Sequence, residues 1–273
     1  MLFENKKCEK CGSNYDVALS TCPACQAHNP EVEKRKISQG VVWIPFWKQI
    51  LLFAMGFIVL HILSIGLTYF LAAIKVTDEV VIHLLLNMTC YNLVFFMMIA
   101  LLIGDYPKFK KSFNSYIPYV IGFGAGVILI MFSLTYNFII NICQLGTTNE
   151  NQSIANSMIG NYPIISFFVI GFLGPIVEEM TYRLGMFSFL RRINKWVAYL
   201  VTILFFTLIH FSFNPDTIVN ELINLPNYLF AGFVFCFIYD KWGFGCSLTA
   251  HIINNSTSVL LAILSILLKR LSS

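Results

Sequence analysis

The sequence reads Gly174-Pro-Ile-Val-Glu178-Glu179-Met-Thr-Tyr-Arg183, which places two carboxylates and a guanidinium inside an otherwise apolar run. On scales of membrane insertion, each charge costs about 2.5 to 3.5 kcal/mol at a bilayer centre, while each apolar residue of 164–180 contributes only about 0.3 to 0.6 kcal/mol. The summed free energy of inserting this helix alone into a bilayer is therefore near zero or unfavourable. We therefore expect neighbouring helices to hold this helix with its charges facing a polar interior, which by default is a functional site.

Helical geometry separates the three charges. Glu179 and Arg183 are four residues apart, so they share a face and can pair, whereas Glu178 is turned roughly 100° away. A structural salt bridge would explain the pair. It would leave Glu178 in need of another partner.

The composition defines the class of protein. Of 273 residues, 57% are hydrophobic and only 12% are charged, with a mean hydropathy of +0.72; a soluble domain carries about twice that charge. Several apolar runs reach the roughly 20 residues that span a bilayer as a helix. We predict an all-α polytopic membrane protein of about seven transmembrane helices with a small N-terminal zinc ribbon. The predicted spans are 46–74, 80–103, 117–142, 163–189, 196–212, 219–239 and 245–268.

The N-terminal segment carries two CxxC pairs, Cys8-Glu-Lys-Cys11 and Cys22-Pro-Ala-Cys25, separated by ten residues. This spacing places four thiolates around one tetrahedral ion, as in zinc ribbons. Two disulfides or inert cysteines are the alternative, but close CxxC pairs before a membrane domain suit a reducing compartment and a metal better. We predict a structural zinc ion held by the four cysteines and leave out His28, just beyond them. The segment resembles the short ribbons at the N-termini of many bacterial membrane proteins.

Basic residues set the expected orientation. Residues 1–30 form the predicted ribbon, 31–45 a charged linker and 46–273 the transmembrane domain; the linker is basic at 34–36 and meets an aromatic border, Trp43 to Trp47. This pattern favours a cytosolic N-terminus in a multi-pass protein of the cell membrane. The loops predicted to be cytosolic hold Lys108, Lys110, Lys111, Arg191, Arg192, Lys195 and Lys241. The predicted outside loop, 147–162, has no Lys or Arg. Only Lys269 and Arg270 conflict with this orientation, because they lie at a C-terminus that is predicted to be outside. An unusual last helix, or one that stops partway, would remove the conflict.

Other polar or small residues have simpler interpretations. Gly122-Phe-Gly124-Ala-Gly126 predicts close helix packing rather than ligand binding. Isolated residues of the membrane core that nothing pairs into a site are His61, His83, Cys90, Cys143, Cys236 and Cys246.

Two further spans carry polar groups that can meet Glu178. The fifth ends with Phe206-Thr-Leu-Ile-His210, and the seventh contains His251-Ile-Ile-Asn254-Asn255. The turn near Ile193 lies 15 residues after Glu178 and 17 before His210, so both sit about 22 to 25 Å from it and a hairpin brings them level. His251 and Asn255 share a face about 12 and 18 Å along their helix, which requires tilt or a re-entrant start to reach the same level.

These groups suit hydrolysis. A lone intramembrane His more often forms a hydrogen bond between helices of the bundle than takes part in catalysis. Here, however, two His, one Asn and an unpaired Glu converge from three helices. A Glu beside a His can hold and deprotonate a water, and His and Asn side chains can donate to the oxyanion of a tetrahedral intermediate.

Taken together, Glu178-Glu179-x-x-x-Arg183, Phe206-x-x-x-His210 and His251-x-x-x-Asn255 resemble the motifs of the CPBP intramembrane proteases. This family includes the type II CAAX prenyl endopeptidases and bacteriocin-immunity-type members, and the resemblance covers about residues 160–260. It implies that Glu178 and His210 activate water, that His251 and Asn255 form the oxyanion site, and that Glu179 and Arg183 brace them. The ribbon is not part of the family's common core.

The resemblance leaves a catalytic metal open, because the family has been described both as metalloproteases and as glutamate-dependent proteases. Glu, two His and Asn could also bind zinc. We expect no catalytic metal, since the resemblance to the prenyl endopeptidases favours a glutamate-activated water.

The predicted function is therefore an intramembrane endopeptidase acting on peptides or membrane proteins, with the bilayer, the substrate and an unidentified partner of the ribbon as its partners and no nucleic acid. The alternative is a non-catalytic immunity or scaffold protein of the same fold. A proton-coupled transporter is disfavoured because the two halves of the sequence show no inverted repeat.

Overall fold

The computed structural model describes residues 5–16, 19, 21–30, 44–145 and 149–272, so most of the predicted linker, including Trp43, lies outside the described residues. Two short strands precede a helical bundle. The elements are β1 (Asn5–Lys7), β2 (Asn14–Asp16), α1 (Phe46–Ala73), α2 (Glu79–Leu102), α3 (Tyr106–Ser112), α4 (Ile117–Ile142), α5 (Glu150–Asn161), α6 (Pro163–Ile193), α7 (Lys195–Leu208), α8 (Ile218–Trp242) and α9 (Phe244–Ser272).

The bundle is that of a multi-pass membrane protein, as predicted. Within the described residues, six helices are long and apolar enough to cross a membrane: α1, α2 continued by α3, α4, α6, α8 and α9. The fifth predicted span, 196–212, corresponds to α7, which is apolar but has 14 residues, or about 21 Å of helix. Large apolar side chains such as Tyr69, Phe96 and Phe123 are exposed on the outer surface of the bundle, where lipid would cover them.

Three boundaries differ from the predicted ones. Helix α7 ends at Leu208, so His210 lies in the turn that follows it. The predicted outside loop contains helix α5, which begins where the Asn149 side chain accepts a hydrogen bond from the Gln152 N–H. Its low hydrophobicity gave no apolar run from which to predict it. The last helix does not stop partway but continues to Ser272.

The ribbon is a small hairpin with two similar turns. Strands β1 and β2 pair antiparallel, with Lys6 opposite Tyr15. In each CxxC turn the first cysteine's carbonyl accepts an N–H from the residue four positions later, Gly12 or Gln26, at 2.8 Å. Both of these residues have positive φ angles, 74° and 59°, and this left-handed conformation folds each turn back on itself so that its two thiols meet.

Arg192 ties the ribbon to the bundle. Its guanidinium contacts the Asp16 carboxylate of β2 at 2.9 Å, the Gln49 side chain at 3.0 Å and the Ile44 carbonyl at 3.1 Å. Further ion pairs lie at the same end of the bundle: Lys48–Asp105, Lys108–Asp105, Arg191–Asp240 and Lys195–Asp240. We call this end the ribbon end and the opposite one, where α5 begins, the far end.

Helices α4 and α9 run in the same direction and pack closely at two glycines. A β-carbon on Gly122 would lie 2.5 Å from the Thr249 β-carbon, and one on Gly126 would lie 2.7 Å from the side chain of Ile253. Gly124 has nothing within 4 Å of such an atom. The prediction of helix packing is confirmed for Gly122 and Gly126, while Gly124 faces away.

We predict that Gly122→Ala and Gly126→Ala each lower the stability of the protein by about 1 to 3 kcal/mol, because the added methyl group overpacks the contact with α9. Thermal unfolding in detergent micelles measures the effect. The matched control is Gly124→Ala, which adds the same methyl group in open space and favours helix. Equal midpoints for all three variants would contradict the packing assignment.

Candidate active site

Helix α6 presents its charged residues to the interior of the bundle. It contains two π-helical segments, Val169–Leu173 and Glu179–Phe187, and every residue of the second is buried. Segments of this kind are rare and frequently occur at functional sites. The predicted polar interior is therefore present, and the charges of α6 must find their partners there.

Glu179 is the centre of a buried polar cluster. It is fully buried, and its Oε1 lies 3.4 Å from Arg183 Nη1 and 2.9 Å from His251 Nδ1. Its Oε2 accepts a hydrogen bond from the Ser247 hydroxyl of α9. The pairing predicted from the four-residue spacing is confirmed, and two residues of α9, Ser247 and His251, join the pair.

Aromatic rings enclose the guanidinium of Arg183. Its Cζ atom lies 4.5 Å from the ring centre of Phe206 and 5.1 Å from that of Phe235. Its nitrogens make no hydrogen bond within the described residues, so the cation is held by the Glu179 carboxylate and by two aromatic faces. Moving this side chain would separate a buried charge from its counterion.

Glu178 faces two histidines. Its Oε2 lies 4.0 Å from His210 Nε2 and 3.7 Å from His251 Nε2. The same oxygen is buried and has no hydrogen-bond partner among the described residues. The prediction that a hairpin brings Glu178 level with His210 is confirmed. His251 also reaches Glu178, although the rise per residue had placed it at a different depth.

Hydrogen bonds place a hydrogen on the Nδ1 atom of both imidazole rings and orient the rings. His210 Nδ1 donates to the Phe206 carbonyl at 2.8 Å, and His251 Nδ1 donates to the Glu179 carboxylate, because both of these oxygens can only accept. Each ring therefore turns its Nε2 atom toward Glu178. The rings are also stacked, His210 on Tyr228 and His251 on Phe235.

Asn255 lies one helical turn beyond His251. Its amide nitrogen donates to the carbonyl of Ile170 in α6 at 3.3 Å, and its oxygen accepts from the Asn254 amide at 3.0 Å. These two bonds orient the amide. Since an amide nitrogen carries two hydrogens, one of them remains for a ligand.

A cavity of about 480 Å³ adjoins these residues. His210, His251 and Asn255 line it, whereas Glu178 is not among the lining residues and contacts the two histidines that are. Its size is in the range of ligand-binding clefts. The arrangement can hold a polar ligand against two histidines and one amide.

The sequence predicted six residues of this site; the fold connects Glu178, Glu179, Arg183, His210 and His251 through their side chains, and Asn255 lines the same cavity as the two histidines. It did not predict Ser247, Asn254 or Tyr228 as members. Ser247 precedes His251 by four residues and so shares its face, a signal that was present. Tyr228 gave no such signal, because it comes from another helix. The isolated His61 and His83 and the four scattered cysteines join no cluster of three or more His, Cys, Asp or Glu ligand atoms in the part of the chain that the structure describes.

The four ribbon cysteines form a second site. Their sulfurs all lie within 4.8 Å of one another, with 3.5 Å between Cys8 and Cys25 and 3.6 Å between Cys11 and Cys22. A tetrahedral ion with bonds of about 2.3 Å requires sulfurs about 3.8 Å apart, so the donor set fits zinc. The hydroxyl of Ser13 hydrogen-bonds Cys22 and lowers the pKa of its thiol to about 6. That shift favours the thiolate form that binds metals.

The Glu–His cluster fits a metal less well. Among the described residues, only the ribbon cysteines bring three or more His, Cys, Asp or Glu ligand atoms within 4.8 Å of one another. Glu178, His210 and His251 do not form such a group.

Fold and site together define a polytopic helical membrane protein with a buried carboxylate–histidine cluster beside a cavity. Residues 160–257 match the family described as Type II CAAX prenyl endopeptidase Rce1-like. The resemblance inferred from the motifs is thus confirmed over this segment, and the match supports a CAAX-type intramembrane protease fold.

One curated relative is similar over a larger part of the chain. It is UPF0177 protein YvdC of Lactococcus lactis subsp. lactis (strain IL1403), 23% identical over 158 residues, or 58% of this chain. The alignment spans 57% of that relative's length. No solved structure matches the chain.

We predict that a fragment of residues 1–36 binds one equivalent of zinc, because its four thiolates close a tetrahedral site. Metal analysis under reducing conditions measures the stoichiometry. The same fragment with Cys22→Ser is the control and should lose tight binding. A wild-type fragment that takes up no zinc would refute the ribbon assignment.

Proposed function

We propose that this protein is an intramembrane endopeptidase that hydrolyses peptide bonds of membrane-associated proteins or peptides. The observation that carries the proposal is the Glu178 Oε2 atom, which is buried without a hydrogen-bond partner among the described residues and faces the Nε2 atoms of two histidines. The match of residues 160–257 to the prenyl endopeptidase family supports it. A structural carboxylate would be expected to be fully paired.

Glu178 and His210 would activate the attacking water. Their separation of 4.0 Å is too long for a direct hydrogen bond but suits two groups bridged by one water. With Nδ1–H committed to Phe206, the neutral His210 ring offers its Nε2 lone pair to that water. Glu178 would take one proton as the water oxygen attacks the carbonyl carbon, and would pass it to the departing amine.

His251 and Asn255 would stabilise the tetrahedral oxyanion. Because Nδ1–H of His251 is committed to Glu179, donation from Nε2 requires the imidazolium form. The buried cluster is then electrically neutral, with Glu178 and Glu179 balanced by Arg183 and His251. The free N–H of Asn255 would provide the second donor to the same oxygen.

Glu179 and Arg183 would act as positioning residues. Glu179 orients His251 through Nδ1, and Arg183 with Ser247 keeps the Glu179 carboxylate in place. We also propose that the N-terminus and the basic loops of the ribbon end are cytosolic, and that the ribbon is an added module for interaction or regulation.

We predict that Glu178→Ala and His210→Ala abolish hydrolysis while the protein still inserts and folds, since both remove the pair that activates water. Membrane proteomes of cells carrying wild type or variant are compared for shortened peptides. His61→Ala is the matched control, because this intramembrane histidine is exposed on α1 and lies outside the cavity lining, with its ring nitrogen at the carbonyl of Phe57. It should leave the peptide pattern unchanged.

Glu179→Ala and Arg183→Ala should in addition reduce accumulation, because each leaves a buried partner charge uncompensated, at a cost of about 3 to 5 kcal/mol. If wild type and Glu178→Ala gave the same peptide pattern, the enzymatic proposal would fail. A non-catalytic scaffold held together by the Glu179–Arg183–His251 network would then take its place.

A further prediction separates ribbon zinc from catalysis. A variant lacking residues 1–40 should purify without stoichiometric zinc and stay active in strong chelator, because Glu178 and His210 activate water without an ion. The full-length protein is the control and should lose only the zinc of its ribbon. Activity that follows the metal content of the truncated variant, lost on chelation and regained with zinc, would establish a catalytic metal instead.

A further inference from the structure

The cavity beside the histidines has an unusual chemical lining. Of the described residues that line it, nine are Asn or Gln and none is Lys, Arg, Asp or Glu. Carboxamides provide both a donor and an acceptor. They can therefore satisfy the N–H and C=O groups of a peptide backbone, which are costly to leave unpaired inside a membrane.

The cavity runs from the buried cluster to the far end of the bundle. His251 is 2% exposed at its inner part, while Asn137, Asn141 and Asn151 are exposed. Helices α4 and α9 both start at the ribbon end, where the Gly245 N–H donates to the Ser112 hydroxyl at 2.8 Å. At 1.5 Å per residue from the start of α9, Asn255 lies about 17 Å along that helix. Asn137 and Asn141 lie about 30 and 36 Å along α4, a distance close to the thickness of a bilayer core.

Asn227 of α8 carries unused hydrogen-bonding capacity in the cavity wall. Its amide nitrogen donates to Asn137 Oδ1 of α4 at 3.4 Å. Its own Oδ1 is buried and has no hydrogen-bond partner among the described residues. A ligand N–H placed between α4 and α8 would satisfy this oxygen.

The lining also disfavours charged ligands. A charge that enters a water-poor cavity without a counterion is strongly destabilised. The described residues that line the cavity include no Lys, Arg, Asp or Glu that could pair with such a charge.

We propose that the cavity binds an extended, uncharged peptide segment that enters from the far end of the bundle, on the side of the membrane opposite the ribbon. This proposal rests on the proposed peptidase function and specifies its substrate class. In this proposal Asn227 and Asn137 contribute affinity by pairing with the peptide backbone.

The first experiment measures binding separately from hydrolysis. The Glu178→Ala variant in lipid nanodiscs is titrated with a fluorescent decapeptide of Ser, Thr, Gly and Ala that is capped at both ends, and with copies carrying one central Lys or Asp. We expect the charged copies to bind at least about tenfold more weakly, the equivalent of one unpaired polar group. Equal binding of all three peptides, or no binding of the neutral one, would overturn the proposal.

Variants of the wall test the assigned residues. In the same Glu178→Ala background, Asn227→Leu should weaken binding of the neutral peptide about tenfold. Asn92→Leu is the control, because Asn92 is a half-buried asparagine of α2 outside the cavity lining. Unchanged binding to Asn227→Leu would refute its role. Peptide binding without any cleavage by the Glu178-containing protein would refute the peptidase and leave this proposal standing.

The side of access is tested in sealed vesicles with a membrane-impermeant maleimide and mass spectrometry. In a Glu178→Ala, Cys143→Ser background, Asn151→Cys and Lys111→Cys place one thiol at the far end and one at the ribbon end. We expect the two thiols to be labelled from opposite sides and the neutral decapeptide to protect only Asn151→Cys. Labelling from one side, or lack of protection, would overturn access from the far end.

Discussion

The structure depends on the burial of the Glu179–Arg183 ion pair inside a membrane bundle. An uncompensated charge at that depth costs several kcal/mol, so the surrounding helices must provide partners. Helix α9 provides Ser247 and His251, while α7 and α8 provide the rings of Phe206 and Phe235. Satisfying one ion pair thus fixes how four helices meet, and this arrangement in turn places Glu178 in front of the two histidines.

A division of roles follows from this arrangement. The fully buried carboxylate is saturated with partners, whereas its neighbour in sequence retains an oxygen without a hydrogen bond. Two adjacent glutamates of one helix differ because they face directions about 100° apart. The network that stabilises the bundle therefore also orients His251, and stability and the proposed chemistry share the same hydrogen bond.

The matched segment, residues 160–257, covers α6 to α8 and the first half of α9. It contains the whole Glu–His cluster but only part of the cavity wall. Asn137 and Asn141 of α4, and Asn149 and Asn151 near the start of α5, lie outside it. The ribbon lies outside it as well and contacts the end of α6 through Arg192. In our proposal the matched segment supplies the chemistry and, through Asn227, one part of the cavity wall, while α4 and α5 supply the remaining asparagines.

The sequence by itself determined the class of membrane protein, the four-cysteine site, the Glu179–Arg183 pair and the level of His210, because each follows from local periodicity, spacing or rise per residue. It did not predict helix α5 within the outside loop, and the rise per residue placed His251 at a shallower depth in the membrane than Glu178. Only the tertiary structure decided that His251 contacts both glutamates, that Ser247 and Tyr228 join the site, and that asparagines from separate helices line one cavity. These contacts depend on helix tilt and on side-chain packing between distant segments, which no local pattern encodes.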